Sequence, residues 1–229
     1  MLIDSAASIE VENLEIRRGS KKLFSGLSFG VSAGRLLVIR GPNGSGKTSL
    51  IRTLAGLAEA TSGSVVWRDA RRAEIEDPRF CISFVAHHPA VHPVFSPTEN
   101  LRLGLGLQGR AVADGTIRDL FKLLGLPSDL PSAKLSQGQQ RRLALAQLSL
   151  GVRPAWLLDE PLTALDDAAV GWFRGVLAQH LRSGGLCVMS LHQDFDWPSE
   201  QIDHLRLVRQ KTPGRTIVER NSNAGAVSA

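Results

Sequence analysis

Apolar and polar residues alternate in some stretches of the chain and form unbroken apolar runs in others. Residues 9–16, IEVENLEI, alternate and predict a half-exposed strand, and LSFGVS at 27–32 predicts its antiparallel neighbour. RLLVIR at 35–40 contains a continuous apolar run, which is typical of a strand buried on both faces. AWLLD (155–159) and LCVMSLH (186–192) have the same character. The chain therefore begins in antiparallel β structure and continues into a buried sheet.

Helical spacing follows the first buried strand. KTSLIRTLAGL places Leu50, Ile51, Leu54 and Leu57 on one helical face, and helical stretches also precede the two later buried strands. Alternation of buried strands with helices predicts an α/β fold with a mostly parallel sheet.

Residues 88–150 have a different pattern, which is typical of helices. Ser96 has Glu99 three residues later, which predicts a capping box at a helix start. The segment 116–126, TIRDLFKLLGL, places its apolar residues on one helical face: Ile117, Leu120, Phe121 and Leu124. We interpret 88–150 as a helical subdomain inserted in the sheet domain.

These patterns predict one domain over residues 1–211. Its core comprises 1–87 and 151–211, on either side of the helical insertion. From residue 212 to 229 the chain becomes small and polar, which predicts a loose tail.

Composition narrows the class of protein. The 229 residues are 43% hydrophobic, enough to bury one sizeable core. Cys81 and Cys187 stand far apart, which disfavours a disulfide framework or a thiolate zinc site and fits a reducing cytoplasm. Neither a signal peptide nor an 18-residue apolar run is present, so we expect no secretion and no membrane span. The net charge of +5 is spread along the chain and is a weak indication of an anionic partner.

A glycine-rich loop carries the most specific signal. GPNGSGKT at 41–48 matches G-x-x-x-x-G-K-[ST] between a buried strand and a helix, which disfavours an ordinary glycine-rich turn. Backbone N–H groups of such a loop surround phosphate oxygens, and the helix N-terminus adds a positive dipole. Lys47 is expected to reach the β- and γ-phosphates, and Thr48 to offer a hydroxyl to Mg²⁺. The candidate ATP-binding residues here are Gly41, Pro42, Asn43, Gly44, Ser45, Gly46, Lys47, Thr48 and Ser49.

Three polar residues end the later buried strands. Asp159 and Glu160 close AWLLDE, and ligands of such sheets bind beyond the carboxyl ends of the strands. We expect Asp159 to help hold Mg²⁺ and Glu160 to activate a water as general base. An Asp–Glu pair that only caps the next turn is the alternative, and the glycine-rich loop disfavours it. His192 ends the third buried strand; a lone histidine is usually structural, but this one is predicted at the phosphate edge.

LSQGQQRR at 135–142 has no nucleophile or base. Ser136 and Gln139 form a predicted capping box for a helix that buries Leu143, Ala146 and Leu150. A helix N-terminus is also an anion site, and Gly138 permits close backbone approach. Because the loop at 41–48 already provides one phosphate site, a second one indicates a different nucleotide.

Taken in order, GPNGSGKT, LSQGQQRR, LLDEP, LTALD (162–166) and SLHQ resemble the ATP-binding subunits of ABC transporters over about residues 9–210. The resemblance implies a P-loop NTPase (RecA-like) parallel sheet core, an N-terminal antiparallel β subdomain and an inserted α-helical subdomain. It implies ATP hydrolysis with Lys47, Glu160 and His192 as catalytic residues. It further implies a head-to-tail homodimer in which one copy's signature residues complete the other's ATP site, with Asp166 in the D-loop at that interface. The signature residues are Ser136, Gln137, Gly138 and Gln139.

The sequence departs from the general family at two positions. His87 stands where most members have the glutamine that begins the coupling loop, and its imidazole has one acceptor nitrogen and titrates. Three nearby histidines also allow a metal or haem site, which Pro89 and Pro93 disfavour because they break any helix that would align the rings. Arg18 stands where relatives stack an aromatic ring on adenine, and a guanidinium can also stack on a base.

The finer resemblance is to the ATPase subunits of the haem exporter of cytochrome c maturation. The QQRR run and the coupling-loop histidine carry it. It implies a peripheral protein at the cytoplasmic face of the bacterial inner membrane with integral partners resembling CcmB and CcmC, and neither nucleic acid nor direct haem contact is expected. Two alternatives stay open: a transporter ATPase for another substrate, and a soluble ABC ATPase that acts on ribosomes or DNA. The latter usually has paired domains or long coiled-coil insertions, and this chain has neither.

Overall fold

The structure is a computed structural model that describes residues 8–192, 195–209 and 216–222. The strands are β1 (Ser8–Arg18), β2 (Lys21–Val31), β3 (Leu36–Arg40), β4 (Ser62–Arg68), β5 (Ile82–Val85), β6 (Ala155–Asp159), β7 (Leu186–Ser190), β8 (Ile202–Arg209) and β9 (Thr216–Ser222). The helices are α1 (Lys47–Leu54), α2 (Pro97–Gly106), α3 (Asp114–Leu124), α4 (Gln137–Leu150) and α5 (Asp167–Arg182). Short 3₁₀ turns lie at Pro78–Phe80, Ser132–Lys134 and Ser199–Gln201.

The chain divides into two compact units, the first of which contains the described residues within 1–84, 153–160 and 180–229. We call it the sheet unit. One of its sheets is antiparallel, in the order β2-β1-β4. The other has the order β5-β6-β7-β3-β8-β9, in which β6, β7, β3 and β8 run parallel and β9 antiparallel. The predicted parallel sheet and its antiparallel neighbour are confirmed.

Burial of the central strands explains the sheet unit's core. Four residues of β3 and all of β6 and β7 are buried, as their continuous apolar runs predict. A bidentate ion pair joins Arg35 to Asp203, with Nη2 2.8 Å from Oδ1 and Nε 3.3 Å from Oδ2. The Asp203 side chain is only 5% exposed, so this pair fixes the start of β3 beside β8 in a largely dry environment.

The second unit contains residues 85–152 and 161–179, and we call it the helical unit. Apolar residues of α2, α3 and α4 form its core, among them Leu101, Ile117, Phe121, Leu124, Leu143 and Ala146. Ser96 and Glu99 make the capping box that the sequence predicts. Asn100, which is buried, binds the backbone of His92 through both its amide oxygen and its amide nitrogen. The loop before α2 is therefore held by side-chain hydrogen bonds as well as by packing.

Three features differ from the sequence predictions. Thr216–Ser222 forms β9, within the stretch predicted as a loose tail, because its backbone pairs with β8 from Arg209 to Asp203; residues 212–215 and 223–229 lie outside the described residues. Helix α1 ends at Leu54, and Leu57 is 49% exposed rather than on a buried face. Residues 161–179 cluster with the helical unit, whose predicted range was 88–150.

Within the described ranges, no helix combines the length and apolarity that crossing a bilayer requires.

Candidate functional site

The glycine-rich loop joins the end of β3 to the start of α1. Gly46 has a φ of 104°, and a Cβ there would lie 3.1 Å from the Phe24 ring, so a side chain would be both strained and crowded. Gly41 has a φ of 155°, and a Cβ there would lie 2.6 Å from the carbonyl oxygen of Leu207 and 2.7 Å from Ser45 Oγ. The loop thus depends on glycine at both ends, which keeps its backbone accessible to a ligand.

Two buried polar groups lie in this loop. The Lys47 ammonium donates to the carbonyl oxygens of Gly41 at 2.9 Å and Pro42 at 3.4 Å. Burial lowers the pKa of Lys47, and the negative charges of Glu160 and Asp159 oppose that shift. Ser45 Oγ is buried and has no hydrogen-bond partner among the described residues. A phosphate oxygen would satisfy this orphaned hydroxyl.

A cavity of about 500 Å³ opens beside the loop. Its lining brings together eight predicted site residues: Arg18, Asn43, Gly44, Gly46, Lys47, Thr48, Ser49 and Glu160. Further lining residues, which the sequence analysis did not select, include Arg17, Leu23, Arg52 and Glu59. Lysine and arginine side chains around one cavity suit a polyanionic ligand with an attached ring.

Asp159 and Glu160 follow each other at the end of β6 and have different surroundings. Asp159 is 1% exposed, and its Oδ1 accepts a 2.7 Å hydrogen bond from the hydroxyl of Ser190. Glu160 has a φ of 52°, in the left-handed region that non-glycine residues rarely adopt. Its backbone N–H donates to Ser190 Oγ at 3.0 Å. Such strain in a residue that lines a cavity is typical of functional sites.

His192 lies against Glu160. Its Nε2 is 2.6 Å from Oε1 of the Glu160 carboxylate, and the two side chains are 44% and 17% exposed. An ionised carboxylate can only accept hydrogen bonds, so with Glu160 ionised the imidazole Nε2 is the donor. The imidazole orients Glu160, which is the arrangement expected of a general base and its positioning partner.

The signature motif begins α4 in the helical unit. Ser136 accepts from the backbone N–H of Gln139, and the Gln139 side chain accepts from the backbone N–H of Ser136, so the predicted capping box is present. A Cβ on Gly138 would lie 2.6 Å from the carbonyl oxygen of Ala164. The backbone of Ala164 has a φ of 62°, in the left-handed region. Ser136 and Gln137 are exposed, and the α4 N-terminus is available to an anion from outside the chain.

Asp166, the predicted D-loop residue, also lies in the helical unit. Its Oδ1 accepts from the backbone N–H of Ala169 at 2.9 Å, and its Oδ2 lies 3.6 Å from the Arg142 guanidinium. Arg142 extends from α4, so this ion pair and the close approach of Gly138 to Ala164 connect α4 to the predicted D-loop at two points.

His87 is half-buried, and its backbone is held by a buried arginine. The Arg141 guanidinium donates to the carbonyl oxygen of Ala86 at 2.8 Å and also to that of His87, while Arg141 is 2% exposed. The His87 and His88 rings meet edge to face at 4.8 Å. Across the described ranges, no three His, Cys, Asp or Glu side chains are grouped as metal ligands. Arg141 stands out in the sequence only as part of the QQRR run, and Ser190 only as the first residue of SLHQ.

Comparisons with known proteins agree with this geometry. The family model described as ABC transporter matches residues 24–163. The chain is 40% identical over 202 residues to the cytochrome c biogenesis ATP-binding export protein CcmA of Dechloromonas aromatica, covering 87% of this chain and 99% of the relative. It is 42% identical over 209 residues to the protein of that name from Paramagnetospirillum magneticum, covering 88% of this chain and 95% of the relative.

Solved structures share the fold. An ATP-binding subunit of an ABC transporter superposes with a TM-score of 0.76 at 20% identity, over 94% of this chain and 90% of that one. A dimeric ATP-binding cassette in a post-hydrolysis state, bound to ADP and phosphate, superposes with a TM-score of 0.75 at 22% identity, over 95% of this chain and all of that one.

Proposed function

Since the chain belongs to the ABC transporter family and is an ATP-hydrolysing subunit of that family, we propose that its hydrolysis serves haem export or release of the haem-loaded chaperone in cytochrome c biogenesis. The observation that carries this proposal is the 40–42% identity to relatives named for cytochrome c biogenesis, over nearly the whole of both chains. The QQRR run and the histidine at position 87 agree with it.

ATP is the substrate of the cavity beside the glycine-rich loop. Residues 41–49 hold its phosphates: backbone N–H groups and the Ser45 hydroxyl donate to phosphate oxygens, and Lys47 reaches the β- and γ-phosphates. Lys47 then exchanges its carbonyl partners, Gly41 and Pro42, for phosphate oxygens. Arg18, which lines the same cavity, stacks its guanidinium on the base.

Thr48 and Asp159 suit Mg²⁺. Both offer hard oxygen ligands, and the described hydrogen bonds of the Asp159 carboxylate engage Oδ1, so Oδ2 is the candidate ligand. When bound, Mg²⁺ neutralises the charge that develops on the transferred phosphoryl group. The residues of this chain hold that ion, and the chemistry of water activation belongs to Glu160 and His192.

Hydrolysis needs a base at the γ-phosphate. We assign that role to Glu160, whose carboxylate accepts a proton from the attacking water as the water oxygen bonds to phosphorus and the bond to the ADP oxygen breaks. His192 keeps the carboxylate in place through the 2.6 Å contact and presents its other edge to the γ-phosphate. Lys47 stabilises the negative charge on the phosphoryl oxygens.

A second copy of the chain completes the site. The N-terminus of α4 faces the γ-phosphate bound to the partner copy and carries the signature residues Ser136, Gln137, Gly138 and Gln139, the first two of which are exposed. Asp166 lies at the same interface. His87 starts the loop that senses the membrane-embedded partners. Those partners are integral subunits resembling CcmB and CcmC, and the ATPase binds them peripherally at the cytoplasmic face of the bacterial inner membrane.

Gene deletion with complementation tests this function. Loss of the gene should abolish staining for covalently bound haem, wild-type protein should restore it, and Glu160→Gln should not. Normal c-type cytochromes in the deletion strain would exclude the haem assignment. Recovery of the protein with ribosomes rather than membranes, in cells that contain all its partners, would contradict a transport role altogether.

A further inference from the structure

Ser190 is a buried hydroxyl at the end of an otherwise apolar strand. Leu186, Cys187, Val188 and Met189 of β7 and the following Leu191 are all buried and apolar, and Ser190 itself is 0% exposed. A hydroxyl in such surroundings destabilises the fold unless it is hydrogen-bonded. Packing alone therefore does not explain a serine here.

The register of the sheet places Ser190 beside both acidic residues. In the parallel pairing of β6 with β7, Ser190 is the partner of Asp159, and these are the last residues of the two strands. Its hydroxyl donates to Asp159 Oδ1 at 2.7 Å and accepts from the Glu160 backbone N–H at 3.0 Å. One hydroxyl hydrogen and one lone pair serve the two contacts, so they are compatible at the same time.

We propose that Ser190 is a positioning residue for ATP hydrolysis, which fixes the Mg²⁺-binding carboxylate and the backbone of the general base through a single hydroxyl. This inference rests on the Mg²⁺ role proposed above for Asp159. The bond to Oδ1 holds the carboxyl group in one orientation and presents Oδ2 to the ion.

The second contact controls Glu160. A φ of 52° is unfavourable for glutamate, so this backbone must be held by its surroundings. The hydrogen bond from its N–H to Ser190 Oγ provides that restraint at the residue itself. Without it, the backbone of Glu160 can relax and carry the carboxylate away from its contact with His192 Nε2. Ser190 thus acts on both the metal and the base without contacting the nucleotide.

Three substitutions separate the hydroxyl from the volume of the side chain. Ser190→Ala removes both hydrogen bonds, Ser190→Cys keeps the volume with a much weaker donor and acceptor, and Ser190→Thr keeps the hydroxyl. Ser83→Ala is the matched control, because Ser83 is a buried strand serine of the same sheet whose hydroxyl has no partner among the described residues. Asp159→Asn tests the Mg²⁺ role independently.

The decisive measurement is binding of a fluorescent ATP analogue to the full chain as Mg²⁺ is titrated, and in EDTA. For Ser190→Ala and Ser190→Cys we expect the Mg²⁺ concentration at half-saturation to rise about tenfold or more, while affinity in EDTA is unchanged. In steady-state assays kcat should fall by a similar factor of about tenfold, with KM for ATP at saturating Mg²⁺ preserved. Ser190→Thr should restore both quantities, and Ser83→Ala should match the wild type.

Each other outcome has a defined meaning. If Asp159→Asn abolishes Mg²⁺ dependence and Ser190→Ala titrates like Ser83→Ala, the proposal for Ser190 is wrong. If Asp159→Asn leaves Mg²⁺ dependence intact, the assigned Mg²⁺ ligand is wrong. A fall in kcat of Ser190→Ala would then still support the positioning of Glu160 by Ser190, and an unchanged kcat would overturn it. If Ser190→Ala does not fold, the same titration of Ser190→Cys decides, and wild-type behaviour of that variant overturns the proposal.

Discussion

The Nε2 atom of His192 and the Oε1 atom of Glu160 lie 2.6 Å apart, so a side-chain hydrogen bond joins the residues that follow β7 and β6. Both residues follow strands of a parallel sheet. The negative charge of Glu160 also acts on Lys47, whose pKa it raises against the effect of burial. Glu160, His192 and Lys47, to which we assign the roles of base, positioning partner and phosphate ligand, thus belong to one compact unit.

Replacing the base should separate binding from hydrolysis. In Glu160→Gln the amide cannot accept a proton, so we expect kcat to fall by about 100-fold or more while ATP binding persists. ATP-bound dimer should accumulate and be visible by size-exclusion chromatography. The control is Glu76→Gln, because Glu76 is exposed and lies outside the cavity lining. Turnover of Glu160→Gln equal to that of the control would remove Glu160 as the base.

The signature glycine should tolerate no side chain. In Gly138→Ala the new Cβ would lie 2.6 Å from the backbone oxygen of Ala164, so either the D-loop or the α4 N-terminus must shift. We expect kcat to fall by about 100-fold, the effect of a displacement of roughly 1 Å, with ATP affinity of the separate chain unchanged. Gly171→Ala is the matched control, since a Cβ there meets nothing within 4 Å. Equal rates for the two variants would contradict this contact.

Arg141 should prove important for the stability of the helical unit. Arg141→Ala leaves the carbonyl oxygens of Ala86 and His87 without their buried donor, and we expect the free energy of unfolding to fall by about 2–4 kcal/mol. Arg118→Ala, an exposed arginine on α3, should change it by less than about 0.5 kcal/mol. Urea denaturation of both variants measures the difference, and equal midpoints would show that the guanidinium does not support the His87 segment.

His180 should make stability depend on pH. Its ring stacks on Trp156 with centroids 3.7 Å apart, and burial lowers the pKa of His180 to about 4, against the opposing effect of hydrogen bonds to the Leu186 and Pro154 carbonyls. Because the unfolded chain takes up this proton near pH 6.5, the stabilisation is complete above that pH. It is lost as the pH falls towards 4, by up to about 3 kcal/mol.

The substitution His180→Gln isolates this effect from the carboxylates that titrate in the same range. Urea unfolding of wild type and variant at pH 7.5, 6 and 5 gives the two slopes. The variant should lose less stability than the wild type between the first and the last pH. Parallel slopes would mean that His180 does not carry the dependence.

Local motifs predict which residues lie at the candidate site, because each motif is a short run of consecutive residues. The loop at 41–48, the acidic pair after β6 and His192 after β7 each follow an apolar strand, and parallel strands end at the same edge. The outline of the fold followed from the same runs. Assignment of residues to roles in catalysis remains a set of predictions.

Contacts between strands and between distant helices are harder to predict. Ser190 acts through its register with β6, and Arg141 through two carbonyls more than fifty positions earlier, so the local sequence does not show which groups either side chain contacts. The lone polar residue in LCVMSL was the available signal for Ser190. Strand β9 was mistaken for part of a tail because its main-chain pairing with β8, rather than an apolar run, defines it.

The two carbonyl groups that accept hydrogen bonds from Lys47 compete with any ligand of the glycine-rich loop for this ammonium group. A ligand that draws the ammonium away from the Gly41 and Pro42 carbonyl groups must supply acceptor oxygens in their place, since a buried ammonium left with fewer acceptors is unfavourable. A chloride ion offers one acceptor centre, whereas a triphosphate offers several oxygens at once. We therefore expect the loop to favour ligands by the number of acceptor oxygens that they offer to Lys47.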